Sequence, residues 1–292
     1  MSAPPSISPG PTAPAAEPAP HILVFDSGIG GLSVLAEIRK RLPLAAVTYV
    51  ADDAAFPYGA WDGPALTAHV DALMADLIAG LSPDVVVIAC NTASTLVLPT
   101  LRARHALPFV GTVPAIKPAA QATKSGLISV IATPGTVERD YTRALIDAFA
   151  GNCAVTLVGS AHLAEIAERH LRGVPVDDGE IAAEIAPCFV TDGQKRTDAI
   201  VLGCTHYPFL IERFRRLAPW QVTWIDPAPA IARRVAAVMP AVMPQADRAA
   251  EAMLPGRAIF TSGRPVPPAL RQVLNGFGLG TGTHTVAGPV LS

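Results

Sequence analysis

The chain has 292 residues, half of them hydrophobic, and a formal net charge of −2 from 22 basic and 24 acidic side chains. That is enough for two domains with sizeable cores. No block of Lys and Arg offers a footprint for nucleic acid or an anionic membrane surface, and no uninterrupted apolar run approaches the ~18 residues that span a bilayer.

Residues 1–20 hold seven prolines. They lack the basic start and apolar centre of a signal peptide. The stretch reads as a disordered or polyproline-like tail. Ile22-Leu23-Val24-Phe25 is the first buried strand, followed by the tight glycine turn Asp26-Ser27-Gly28-Ile29-Gly30-Gly31. A helix is expected from Leu32 to Leu42, stopped by Pro43, then a strand over Val47–Val50 that ends at Ala51-Asp52-Asp53. The loop Phe56–Trp61 is rich in turn formers. A helix follows over Ala65–Gly80, with Leu66, Val70, Leu73 and Leu77 on one face. The run Val85–Ala89 predicts a strand ending at Cys90; a helix over Leu96–Arg104 and a strand over Phe109–Val113 come next.

From Pro114 the pattern restarts. It predicts a helix over Ile116–Thr123, a strand over Leu127–Ile131, and a turn at Ala132–Thr136 that opens a helix ending near Ala150. Further on come a strand over Val155–Val158 and helices over Leu163–Leu171 and Asp178–Phe189. The run Ala199–Leu202 is a strand ending at Gly203-Cys204, followed by a helix over Phe209–Leu217, a strand over Val222–Ile225 and a helix over Ala228–Val238. The tail to Phe277 completes the fold. Alternating strands and helices imply α/β architecture, each half a mainly parallel sheet flanked by helices.

Cys90 and Cys204 end two similar apolar strands, 114 residues apart. A duplicated α/β unit sets such strand ends face to face across a cleft, where open parallel sheets hold their ligands. A thiol, with an ordinary pKa of about 8.5, is a competent base and acid near neutral pH. Two of them suit inversion of a carbon centre, one removing a proton from one face and the other delivering one to the opposite face. His206 lies two residues beyond Cys204, and Asp26 is the candidate partner for Cys90. Asn91, Thr92 and Thr205 can bind a carboxylate, Asp26 an ammonium, and Ser27 can bridge. Cys153 and Cys188 read as small hydrophobes. With no C-x-x-C pair, the four cysteines fit free thiols of a reducing cytosol, not a disulfide framework or zinc site. The glycine turn does not read as a dinucleotide fingerprint. Ser33 stands at the third glycine position, and Asp26 would face a pyrophosphate.

Several ordered motifs carry a resemblance from about His21 to the C-terminal region. They are Phe25–Leu32, Phe56-Pro57-Tyr58-Gly59, Ala89-Cys90-Asn91-Thr92-Ala93-Ser94, Val113–Pro118 and Leu202-Gly203-Cys204-Thr205-His206-Tyr207-Pro208. In these the chain resembles the cofactor-independent glutamate racemases of the Asp/Glu racemase superfamily. The resemblance implies that Cys90 takes the α-proton of D-glutamate and Cys204 that of L-glutamate, with Asp26 and His206 as helpers. It implies substrate contacts from Asp26–Ser27, Tyr58–Gly59, Asn91–Thr92 and Thr205–His206, with Thr133 and Thr136 nearby and Glu168 beside the site. It implies two domains, 21–114 with 226–292 and 115–225, and a cytoplasmic isomerase supplying D-glutamate for peptidoglycan without metal or pyridoxal phosphate. The chain also resembles members with an N-terminal extension that are activated by UDP-N-acetylmuramoyl-L-alanine. Two other readings stand beside this one. The first is a racemase of aspartate or of broad specificity. The second is a binding protein that restrains DNA gyrase, against which the intact cysteine pair argues.

Overall fold

The computed structural model describes residues 19–239 and 253–281. The proline-rich tail therefore falls, but for its last two residues, outside the described residues. The elements run β1 (His21–Asp26), α1 (Leu32–Arg41), β2 (Ala46–Ala51), α2 (Gly63–Leu81), β3 (Val85–Ile88), α3 (Asn91–Arg104) and β4 (Phe109–Gly111). Next come α4 (Ile116–Ala122), β5 (Leu127–Ala132), α5 (Pro134–Val137), α6 (Asp140–Phe149), β6 (Ala154–Gly159), α7 (Leu163–Leu171) and α8 (Asp178–Ile185). The short strands β7 (Thr191–Asp192) and β8 (Lys195–Arg196) form a hairpin ahead of β9 (Ala199–Leu202), α9 (Ile211–Leu217), β10 (Thr223–Ile225) and α10 (Ala228–Val238). The chain closes with β11 (Gly256–Phe260), α11 (Pro268–Gly276) and β12 (Leu279–Thr281).

Two sheets result, both wholly parallel. The first has the order β12-β11-β2-β1-β3-β4 and the second β10-β9-β5-β6. The segment β2-β1-β3-β4 of the first matches β6-β5-β9-β10 of the second, which makes β1 equivalent to β5 and β3 to β9. In each sheet the chain reverses its direction of travel between the paired central strands, and their carboxyl ends border the crevice where such folds bind ligands. Phe25 pairs with Ile88 and Ile131 with Leu202, so the residues after these strands stand side by side.

Side chains along the central strands alternate between two buried faces. Ile22 and Val24 pack with α1 and α10; Leu23 and Phe25 pack with α2 and α3. In the second sheet Ile131, Ile200 and Leu202 face α7, α8 and α9, while Ile128, Val130 and Val201 face α4. Burial on both faces is why these strands are continuous apolar runs.

The structure departs from the sequence expectations at several places, besides the hairpin β7–β8 and the closing β11, α11 and β12, which were not expected. Helix α3 begins at Asn91, not Leu96, so Cys90 is its N-cap. The polar residues ahead of the expected start form a first helical turn, and the Ser94 hydroxyl bonds back to the Ile88 carbonyl. The helix expected after Thr133 is two, α5 and α6, parted at Glu138–Arg139. Helix α8 ends at Ile185, and a tighter turn over Ala186–Cys188 leads into the hairpin. Helix α2, at 19 residues, is long and apolar enough to cross a membrane by length and composition. Its Leu66, Val70, Leu73, Met74 and Leu77 instead pack with residues of the first sheet.

Candidate active site

The carboxyl ends of β3 and β9 open on one cavity, and Cys90 and Cys204 both line it. Cys90 is buried at the N-terminus of α3, with Ser27 Oγ 3.7 Å from its sulfur. Burial pushes its thiol up to about 12, reinforced by the Asp26 carboxylate. Asp26 ends β1 and is fully buried. One of its carboxylate oxygens accepts from the Gly28 amide (2.8 Å) and from Ser27 Oγ (3.3 Å). The other accepts from Thr205 Oγ1 at 2.9 Å. Burial raises the Asp26 pKa; the His206 charge and these donors oppose the rise.

On the opposite wall, His206 Nδ1 lies 3.6 Å from Cys204 Sγ and its Nε2 lies 2.9 Å from Glu168 Oε1. Burial would lower the His206 pKa, but Cys204 and Glu168 hold it well above the ordinary value. The imidazolium form donates Nε2–H to Glu168 and Nδ1–H towards the sulfur, which leaves the Gly30 amide, 3.2 Å from Nε2, without an acceptor there; a proton can pass between Nδ1 and the sulfur. Glu168 also accepts from the Ile29 amide at 2.7 Å. Burial pushes its carboxyl up, and the bond and charge of His206, the Ile29 amide and Arg172 bring it below the ordinary range. The three groups form a carboxylate–imidazole–thiol chain, the logic by which a base and its orienting carboxylate activate a sulfur.

The glycine turn has its reason here. A Cβ at Gly28 would lie 2.2 Å from Glu168 Oε1, and one at Gly30 would lie 2.3 Å from His206 Nδ1. Glycine admits two side chains, one from α7 and one from the segment past β9, against the turn that follows β1.

Asn91 is buried, and neither its amide nitrogen nor its oxygen has a partner. A buried amide at a cavity wall with both ends free is fitted to a polar ligand. Thr92, Thr133 and Thr136 join their hydroxyls at 3.0 to 3.4 Å, linking α3 to the turn after β5. Ser27, Tyr58, Gly59, Asn91, Thr92, Thr133, Thr205 and His206 line the cavity with the two cysteines. Asp26, Thr136 and Glu168 stand behind them, each bonded to a lining residue. The structure thus gathers every site residue expected from sequence, while Cys153 and Cys188 lie in the cores of the second half.

Three participants escaped the sequence reading. Tyr58 turns its hydroxyl away from the cavity wall to donate to Asp52, which also accepts from Thr261 Oγ1 (2.6 Å) and sits 2.6 Å from His69 Nε2. Phe56 packs against the His206 ring with centroids 5.8 Å apart. Arg172 reaches the outer oxygen of Glu168. Asp52 carried a signal, a carboxylate at the end of a central parallel strand; Arg172 carried only its spacing of four from Glu168. Among the described residues no group of three or more His, Cys, Asp or Glu is arranged to hold a metal ion.

The chain belongs to the Asp/Glu/Hydantoin racemase family, whose model matches residues 33–235. Its relatives include the glutamate racemase of Brucella ovis, 54% identical over 270 residues that cover 92% of this chain and 96% of the relative. The glutamate racemase of Rhizobium meliloti is 56% identical over 259 residues, covering 88% and 92%. The crystal structure of Escherichia coli glutamate racemase in complex with L-glutamate and activator UDP-MurNAc-ala superposes with a TM-score of 0.81 at 39% identity, covering 90% of this chain and 97% of that one.

Proposed function

We propose that this chain interconverts L-glutamate and D-glutamate, one of Cys90 and Cys204 taking the α-proton from one face and the other delivering its own proton to the opposite face. The observation that supports it best is one buried cavity walled by two strand-end thiols, each beside its own carboxylate-linked partner. From L-glutamate, the Cys204 thiolate takes the α-proton and the electron pair of the broken C–H bond stays on the substrate. Cys90 then gives its thiol proton to the opposite face, ending as thiolate. From D-glutamate the roles exchange. Matched groups suit a reaction that runs equally both ways.

Negative charge grows on the substrate α-carboxylate as the proton leaves. Asn91, Thr92 and Thr205 offer fixed donors there, where preorganised dipoles count most. Asp26 takes the ammonium. Its positive charge offsets the Asp26 carboxylate, which otherwise disfavours a thiolate at Cys90. Glu168 orients His206, and His206 serves Cys204. Thr133 and Thr136 hold the Thr92 hydroxyl. By likeness to the family, Ser27, Tyr58 and Gly59 receive the distal carboxylate; with the Tyr58 hydroxyl engaged by Asp52, the loop backbone is what it offers. Every proton carrier in this scheme is the chain's own.

The same reading assigns residues 21–114 with 226–292 to one domain and 115–225 to the other, the cleft between them being the site. It makes the protein a cytoplasmic isomerase supplying D-glutamate for peptidoglycan. The Escherichia coli structure was solved with L-glutamate and UDP-MurNAc-ala, and we extend both ligands to this chain, as substrate and activator. A circular-dichroism time course with each enantiomer of glutamate is the test. Both should decay to zero ellipticity without added cofactor, and faster with the activator. A flat trace from both overturns the assignment.

A further inference from the structure

Glu168 serves the site through one oxygen only. Oε1 takes the Ile29 amide and His206 Nε2; Oε2 takes the Nε–H of Arg172 at 3.1 Å. Arg172 is the C-cap of α7, one turn beyond Glu168. An exposed pair at this spacing contributes little, but here one partner is buried. The Glu168 side chain is 7% exposed against 30% for Arg172. Beyond them lies a second cavity of about 480 Å³, lined by Asp53, Glu165, Arg169, Arg172 and Arg264. It does not include either cysteine. Arg169 and Arg264 are engaged elsewhere, with Glu180 and Asp53. Arg172 alone among these cations bonds the carboxylate that orients His206.

We propose that Arg172 is a positioning residue for the Cys204 half of the reaction, locking the outer oxygen of Glu168 so that the inner one stays charged and aimed at His206. This rests on the two-thiol reading above. Without the guanidinium, Oε2 faces the second cavity and its water, the carboxylate can rotate, and the charge on His206 loses support. Cys90 has no hydrogen bond to this chain of groups and meets the His206 charge only through Asp26, so the proton transfer on its side is affected less.

The asymmetry is measurable. Enantiomers have equal free energy, so kcat/KM must be the same in both directions for any variant, and a rate loss cannot show which half is impaired. Deuterium at the substrate α-carbon can. A higher barrier on the Cys204 side makes cleavage of L-glutamate more rate-limiting and cleavage of D-glutamate less so. Arg172→Gln should therefore lower kcat/KM about tenfold, roughly 1.4 kcal/mol of added barrier. It should raise the α-deuterium effect on kcat/KM for L-glutamate and lower it for D-glutamate. Arg172→Lys, which keeps the charge without the Nε–H, should shift both effects the same way by less. Arg169→Gln, on the same helix and cavity, should leave both as in the parent.

Folded Arg172 variants with unchanged isotope effects, or with both effects moved in one direction, overturn the proposal. So does an Arg169→Gln variant that reproduces the asymmetry. A shift opposite in sign would keep Arg172 tied to one thiol and reverse which enantiomer Cys204 serves. A parent that racemises neither enantiomer would instead refute the underlying reading.

Discussion

Thr205 donates a 2.9 Å hydrogen bond to Asp26, joining the residue that ends β1 of the first sheet to a residue just past β9 of the second. Asp26 is the carboxylate beside Cys90, and Thr205 directly follows Cys204. The two halves of the proposed chemistry are therefore tied through one short contact, and the separation of the thiols depends on both sheets.

Replacing either strand-end cysteine by alanine removes a proton carrier. Cys90→Ala and Cys204→Ala should each abolish racemisation, measured by the polarimetric rate. Cys153→Ala and Cys188→Ala should turn over normally. Cys188 is fully buried, so its truncation should cost roughly 1 kcal/mol of stability, seen as a lower Tm. Near-normal turnover in either of the first pair would remove the basis for the two-thiol scheme.

Gly30→Ala should be nearly inactive. The added methyl would meet three atoms of the His206 ring at 2.3 to 2.6 Å, so the ring must move. A shift of ~1 Å at a catalytic group costs about a hundredfold. Stability should fall by about 1–3 kcal/mol, the usual penalty of overpacking. A variant with parental kcat/KM would mean that His206 does not need its present position.

In the ligand-free protein Cys90 should alkylate slowly. With its pKa near 12, the thiolate fraction at pH 8 is on the order of one in ten thousand. Its iodoacetamide rate, followed by peptide mass spectrometry, should keep rising through pH 10. A plateau near pH 9 would show a thiol of ordinary acidity.

Glu168→Gln should test the sign of the acid-side linkage. The carboxyl is depressed in the folded chain, below its reference value of 4.5. Its contribution to stability is whole above that value and is lost as pH falls through the folded one. The variant should melt below the parent at pH 7, and the gap should close below about pH 4.5. A gap that widens with acid would mean that the carboxylate is not the stabilised form. Activity should fall in parallel, because His206 loses its partner.

Tyr58→Phe should act on the loop, not on the chemistry. It removes one donor from buried Asp52, at a cost of about 1–3 kcal/mol. We expect KM for glutamate to rise severalfold with kcat nearly kept. Glutamate should still outrun aspartate in kcat/KM, since a shorter substrate leaves the loop's polar groups unpaired. A collapse of kcat alone would place the hydroxyl in the reaction itself.

Strands that are buried on both faces were readable from sequence because each is an unbroken apolar run, as in Val85–Ile88 and Ala199–Leu202. The first turn of α3 was not. Its Asn91 and Thr92 are polar for the cavity's sake, and polarity at a helix start looks like a loop. The pairing of Glu168 with His206 spans 38 positions and two elements, so no local pattern announces it. Strand β11 opens on Gly256 and Arg257, and in β12 only Leu279 is apolar, so neither presents the unbroken apolar run that marks the central strands. The glycine turn was visible, but its purpose depends on side chains that arrive from the other sheet.

The order in which the two sheets can be completed during synthesis follows from the sheet connections. The second sheet has all its strands once Ile225 is made, whereas the first waits for β11 and β12, which end at Thr281. At the usual pace of synthesis that delay is roughly three to eleven seconds. Through it β2 has an unpaired edge, and Asp52 lacks the Thr261 hydroxyl that helps hold Tyr58. The later half of the molecule can thus close while the earlier half is still an open edge, and a nascent chain cut short before residue 256 would keep both cysteines without a finished loop to receive the substrate.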